Sequence, residues 1–481
     1  MANKNTVISN MLWRFAERCG AQGVSFIVSL ILARLLLPEE YGVVSLITIF
    51  TSILNLFMDA GFKNALIQKK NADQLDYSTV FYFNIFMGIV LYLIMFAAAP
   101  AISRFYEMDY MTPYIRVMSF TLVLGGINGV QTAVVAKRME FRRFFYGTLG
   151  GTIASAVIGI WMAYSGYGVW ALIAQRLSNQ LINIGILWFT VRWRPTLEFS
   201  LSRLKPMFDY GSKLLGSSLL DSLTSNLTSL IIGKVYPADT LGYYDKGQRL
   251  PKLVIENLQT SVQSVLFPVI AERQGRKDEI KRVLRRSYVT SAYCIFPCMV
   301  GIAVCAEPIV RILYTDRWIS MVPYVQIWCF VYAFFLLHTA DLQVIQAVGR
   351  SDIFLKIEII KQVLSLIGII VTIPLGVMAM MLSMCIVTVI SLYINARPNK
   401  ELADYGFSEH MKDLVPIILL NVIMGAAVSA AGILPLSDIP RLILQVLVGV
   451  VVYAAGSYVL RLESFEYIKE FVFGLLRKNK S

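Results

Sequence analysis

The stretch YYDKGQRLPKLVIE, residues 243–256, sets Lys246, Arg249 and Lys252 three positions apart, with Glu256 one turn further on. On a helix, cations at that spacing form one broad stripe. Such a stripe binds oxyanions, and arginine does so best because its planar fork reaches two oxygens at once. Arg14 and Arg18 form a second pair, at i and i+4 around Glu17, and Asp59 and Lys63 repeat the i, i+4 spacing. Each has a structural reading beside the binding one. Arg14, Arg18 and Lys63 can anchor helix ends at the inner interface, and Lys246 can do so at the outer one.

A second chemistry needs carboxylates. Asp221 sits in GSSLLDSLTSNLTS, where Ser, Thr and Asn recur. Asp59, Asp341 with His338 three positions before it, and Glu358 beside Lys361 are further acids in apolar surroundings. Asp221, Asp59 and Asp341 are the candidates for coupling to Na⁺ or H⁺ through oxygen ligands. Pairing within the protein explains them equally well. No other cofactor is expected. The six cysteines all lie in apolar runs, none in a Cys-x-x-Cys pair, and there are only two histidines, so a metal centre is not expected.

Composition identifies the solvent these groups sit in. Of 481 residues, 57% are hydrophobic and 16% charged, with mean hydropathy +0.63. Soluble domains carry about 25% charged residues, so lipid surrounds much of this chain. The net charge of +13 fits cytoplasmic loops rather than nucleic-acid binding. The start, MANKNTVISN, lacks an apolar core with a cleavage site, and no signal peptide is expected there.

Apolar runs predict an all-α integral membrane protein with fourteen transmembrane helices near 10–36, 42–67, 78–101, 114–136, 145–165, 168–191, 207–235, 246–271, 287–312, 323–346, 357–375, 377–396, 412–434 and 441–460, with a break at Pro374-Leu-Gly376. With the N-terminus cytoplasmic, the inside segments hold roughly 28 Lys and Arg against about two outside, so both termini are expected in the cytoplasm.

The chain also repeats itself. LILARLLLPEEYG (30–42) returns as LIIGKVYPADTLGYY (230–244), PAISRFYEMDYMTPYIRVMSF (100–120) as PIVRILYTDRWISMVPYVQIWCF (308–330), and AKRMEF (136–141) as VGRSDI (348–353). Six predicted helices separate the copies, so the halves share one orientation about an axis along the membrane normal, which places a path between two lobes. The expected division is 1–200 for one six-helix lobe, 201–398 for the other, and 399–481 for two extra helices and a tail. The repeated cation, Arg34 and Lys234, closes a helix in each copy and suits the dipole there.

The two lobes of six plus two, the ARLLLPEEYG block and LFPVIAERQGRKDEIKRVLRRSYVTSAYCIFPC together resemble the polysaccharide branch of the multidrug/oligosaccharidyl-lipid/polysaccharide (MOP) exporters, in particular Wzx-type flippases of the colanic-acid and teichuronic-acid group. The resemblance covers essentially the whole chain. It implies a bacterial cytoplasmic-membrane protein, not an enzyme, that moves an undecaprenyl-pyrophosphate-linked oligosaccharide outward by alternating access, beside polysaccharide polymerase or assembly proteins. The QRL triplet at Arg249 resembles a cavity arginine of relatives that carry peptidoglycan precursor. Two other expected cavity cations are here Gln22 and Asn55, which implies a different sugar. A multidrug organic-cation antiporter of the same superfamily is the alternative, and its cavity would favour acids over arginines.

Two further expectations concern packing. GGINGV (125–130), LGGTIASAVIG (149–159) and GAAVSAAG (425–432) should let helices approach closely. Tyr106, Tyr110, Tyr114, Tyr243, Tyr244, Tyr314 and Trp318 read as an outer aromatic belt more readily than as sugar-stacking groups.

Overall fold

A computed structural model describes residues 4–59, 66, 69, 72–138 and 140–466; within its helices, side chains are not described at 4–19, 58, 59, 141, 209–214, 217, 220, 221, 257, 260 and 261. Among the described residues every regular element is helical. In chain order these are α1 Lys4–Leu35, α2 Pro38–Asp59, α3 Gln74–Phe105, α4 Met111–Met118, α5 Phe120–Lys137, α6 Phe141–Tyr164, α7 Val169–Thr190, α8 Leu201–Val235 and α9 Ala238–Ala271. There follow α10 Lys277–Val304, α11 Ala306–Tyr314, α12 Val322–Ala333, α13 Phe335–Ala347, α14 Ser351–Thr372, α15 Val377–Ala403, α16 Phe407–Ala431 and α17 Asp438–Val459. In lipid no water satisfies a bare backbone, which is why the apolar runs become helices.

Most of the expected spans overlap helices among the described residues, and the expected span 42–67 runs past Asp59 into residues outside those described. Nine segments among the described residues are long and apolar enough to cross a bilayer. The helices that fall short include α8, α9 and α14. These carry the Ser/Thr/Asn run, the 246–256 cations, and the Asp352, Lys356, Glu358 and Lys361 charges. The break at Pro374 is a short 3₁₀ turn, Ile373–Leu375, ended by Gly376 at φ +98°. The expected span 287–312 stops earlier. Its helix ends at Val304, and α11 is separate and strongly amphipathic.

The chain divides into two compact units, Met1–Gly242 and Tyr243–Ser481. Within the first unit α8 lies against α2 and α3. In the first unit α6 packs on α7 and α1, and α3 packs on α5. Glycines set these distances, as their clustering suggested. A Cβ on Gly126 would stand 2.5 Å from the Asn84 carbonyl oxygen, and one on Gly151 2.9 Å from that of Asn179. The segment after α7 is pinned to α3: Trp193 Nε1 donates to Gln74 (2.9 Å), and Arg203 reaches Asp73 (2.9 Å) and the buried Asp76 (3.2 Å), which Lys69 also meets at 2.7 Å. In the second unit Tyr288, Phe296, Leu337, Val344, Leu392 and Leu414 lie in one core.

The repeated phrase has a structural purpose. Pro38 and Ala238 begin α2 and α9, and they stand 200 residues apart, as do Gly42 and Gly242. A Cβ on Gly42 would lie 1.8 Å from the Ala238 carbonyl oxygen, and one on Gly242 2.1 Å from that of Pro38. Each glycine therefore meets the first helical carbonyl of the other copy, the reciprocity of a two-fold contact. All four residues belong to the first unit. Arg34 and Lys234 close their helices as expected, and Lys234 meets Glu107 at 2.6 Å.

Gly42→Ala or Gly242→Ala should sharply reduce the monodisperse fraction on size-exclusion chromatography, since backbone cannot retreat from a Cβ. Gly23→Ala, with nothing within 4 Å of the added carbon, should leave it unchanged. A smaller effect is expected at the α14 N-terminus. There Arg350 forks onto Asp352 (2.9 and 2.8 Å) and, chiefly through that hydrogen bond, holds the carboxyl down to about 2. A depressed folded pKa stabilises above the unfolded value of about 3.9 and is lost as pH falls through the folded one. The melting temperature of wild type should exceed that of Asp352→Asn slightly at pH 7, and the gap should close towards pH 2.

Candidate functional site

The register of α9 sorts its side chains. Tyr244, Gly247, Gln248, Pro251 and Ile255 share one face, and α12 presents Tyr324, Trp328 and Tyr332 to it. The Tyr244 and Trp328 rings lie 5.4 Å apart, Gln248 hydrogen-bonds Tyr332, and a Cβ on Gly247 would stand 2.8 Å from Tyr324 Cβ. Lys246, Arg249, Lys252 and Glu256 lie off that face, on the flank and back of the helix. The expected stripe therefore exists, but its members differ. Lys246 is 5% exposed, so it is no outer-interface anchor. Arg249 is half-buried, and Lys252 is exposed, 3.7 Å from Glu256.

Other candidates cannot be joined to this stripe. Arg14, Arg18 and Glu17 lie on α1, Asp59 closes α2 and Asp221 lies on α8, but their side chains fall outside those described; Lys63 lies outside the described residues altogether.

Asp341 has surroundings that the sequence did not disclose. It is fully buried on α13, and its partner is not His338. Asn399 Nδ2 donates to Asp341 Oδ1 at 2.8 Å, and His410 Nε2 stands 3.7 Å from the same oxygen. His338 Nδ1 instead meets Asn395 at 3.1 Å. Asn395 and Asn399 are one turn apart on α15, so they reach residues one turn apart on α13. The His410 ring stacks on Tyr288 at 4.3 Å, and Tyr405 meets its edge at 4.2 Å. Asp341 Oδ2, Asn399 Oδ1, Tyr288 Oη and both His410 nitrogens are buried with no hydrogen-bond partner among the described residues. Four helices thus surround a carboxylate with polar atoms still able to take a proton or a small cation. His410, 69 residues from Asp341, carried no local signal.

Several expectations change. Tyr106, Tyr244, Tyr314 and Trp318 are buried, not a belt. They pack ring against ring, Tyr314 on Trp318 at 5.9 Å and Phe50 on Tyr106 at 6.1 Å. Tyr110 remains exposed, hydrogen-bonded to Glu39. Glu307–Arg311 (3.2 Å) and Glu358–Lys361 (2.6 Å) are local ion pairs. One cation was overlooked. Arg176, on α7, donates to Thr48 Oγ1 of α2 at 3.0 Å. Its signal was a lone arginine in an apolar run, with Asn179, Gln180 and Asn183 at i+3, i+4 and i+7.

The model of a family described as polysaccharide biosynthesis protein matches residues 31–323. The chain belongs to this family. Similar curated relatives include the succinoglycan biosynthesis transport protein ExoT of Rhizobium meliloti, 25% identical over 66% of this chain and 64% of that one. The teichuronic acid biosynthesis protein TuaB of Bacillus subtilis is 24% identical over 64% of this chain and 63% of its own length. The matches thus span a little under two thirds of these relatives. Among solved structures, the lipid II flippase MurJ in an inward closed conformation superposes with TM-score 0.72 over 94% of this chain and 98% of its own, at 15% identity. That likeness establishes the fold: this member of the polysaccharide biosynthesis family is a multi-pass membrane protein with a MurJ-like helical architecture.

Removing the His410 ring should cost about 2–5 kcal/mol, as for other large buried side chains cut to alanine, and His410→Ala should melt clearly lower in a thermal-shift assay. Asp341→Asn, which buries an amide instead of a carboxylate, should melt no lower than wild type.

Proposed function

We propose that this protein is a flippase, translocating an undecaprenyl-pyrophosphate-linked oligosaccharide across the bacterial cytoplasmic membrane for polysaccharide assembly. The observation that carries the reading is the α9 stripe. Arg249 is partly buried on α9, off the face that packs on α12. An intramembrane arginine costs about 2.5–3.5 kcal/mol on insertion scales, and a pyrophosphate passing through a wet path would repay it. Family membership, the transport role in ExoT's name and the fold shared with a lipid II flippase support the same substrate class.

In this reading the halves 1–200 and 201–398 alternate their access, and 399–481 is an appendix. Both termini are cytoplasmic, and polymerase or assembly proteins receive the product. Arg249 binds the pyrophosphate, with Lys252 and Lys246 beside it and Arg14, Arg18 and Lys63 contributing from the other half. Coupling to H⁺ or Na⁺ is assigned to Asp341, whose unpartnered oxygen and neighbouring imidazole suit a carried proton. Asp59 and Asp221 remain secondary choices. The protein carries its cargo across without breaking a bond, and is no enzyme.

In proteoliposomes, wild type should expose an undecaprenyl-pyrophosphate oligosaccharide on the far leaflet, and Arg249→Ala should slow this at least tenfold while remaining monodisperse. Transport by an unimpaired mutant would remove Arg249 from the site. Ion-driven efflux of a small organic cation, with no movement of lipid-linked sugar, would establish the multidrug alternative instead.

A further inference from the structure

Arg176 stands two turns into α7, and its side chain is exposed. An unpaired arginine facing lipid is costly, so an exposed guanidinium on an apolar helix suits a wet path rather than the bilayer. The hydroxyl of Thr48 is its one hydrogen-bond partner among the described residues, at 3.0 Å, and no carboxylate pairs with it there. Thr48 takes one of five N–H donors, leaving a fork for two oxygens.

The surroundings hold that fork in place. Asn179, one turn on, donates to Ser155 of α6 at 3.2 Å, and Gln180 donates to the Thr121 carbonyl of α5 at 3.1 Å. Those amides therefore fix the rotation of α7, and Arg176 is directed towards α2. On α2, Ser52 and Asn55 follow Thr48 at i+4 and i+7 and are partly buried, extending a polar face.

We propose that Arg176, oriented by Thr48, is a second oxyanion-binding residue for the transported substrate, on the first unit and separate from Arg249. This rests on the flippase reading. The ligand chemistry is a phosphate or carboxylate oxygen pair, from the pyrophosphate link or from an acidic sugar.

The test is binding by full-length protein in detergent, with farnesyl pyrophosphate, methyl β-glucuronide and farnesol as probes. Arg176→Gln should weaken one of the two anions at least tenfold and leave farnesol unchanged. Thr48→Val should weaken the same anion less, and Arg176→Lys should recover only part, having charge without the fork. Loss confined to farnesyl pyrophosphate assigns the site to the link, and loss confined to the glucuronide assigns it to the sugar. If Arg176→Gln binds both anions as wild type does, the proposal is wrong and the flippase reading stands. If wild type prefers neither anion to farnesol, the flippase reading fails and takes this proposal with it. Should Arg176→Gln not fold, Arg176→Lys decides: unchanged binding of both anions overturns the proposal.

Discussion

Two peptide backbones touch where α2 and α9 begin, and there is no room between them for a single methyl group. Gly42 and Gly242 make that contact possible, each against the other's first helical carbonyl. Such a contact fixes position and rotation more firmly than side-chain packing does, because backbone has no rotamers with which to yield. The rotation of α9 is then continued by Tyr244, Gly247 and Gln248 against α12. What faces elsewhere is decided by subtraction, and the remainder contains Arg249.

The same economy governs the charges. A membrane helix can keep an ion only by pairing it, wetting it or using it. Glu358 and Lys361 are paired, as are Lys252 and Glu256. Asp76 is buried but has two cations, and Arg285 is held bidentately by Asp413. Arg176 and Asp341 follow neither pattern among the described residues. One is accessible with a single hydroxyl partner, and the other is fully buried with one oxygen unengaged. Those two exceptions lie in different units.

The family relation and the geometry bear on different questions. Membership and the MurJ-like fold fix the class of molecule. They do not choose residues, since at 15% identity few side chains are shared. The choice of Arg249 and Arg176 comes from the faces of α9 and α7. The aromatic residues illustrate why such detail matters. Tyr314 and Trp318 have the composition of a membrane belt, yet both are wholly buried and packed on each other.

The sequence by itself determined the helical class, the approximate spans, the internal repeat and the family, because each is written in local composition and in order along one chain. It also marked Arg249 and Asp341, since a charge within an apolar run is conspicuous wherever it lies. It did not show that Asp341 belongs with His410 rather than His338, nor that Arg176 meets Thr48, 128 positions away. Nor did it show that Lys246 is buried while its neighbour Arg249 is half-open. Those depend on which way each helix is turned against its neighbours. Rotation about a helix axis leaves the local pattern unchanged, and only tertiary packing, through contacts such as Gly42 on Ala238, removes that freedom.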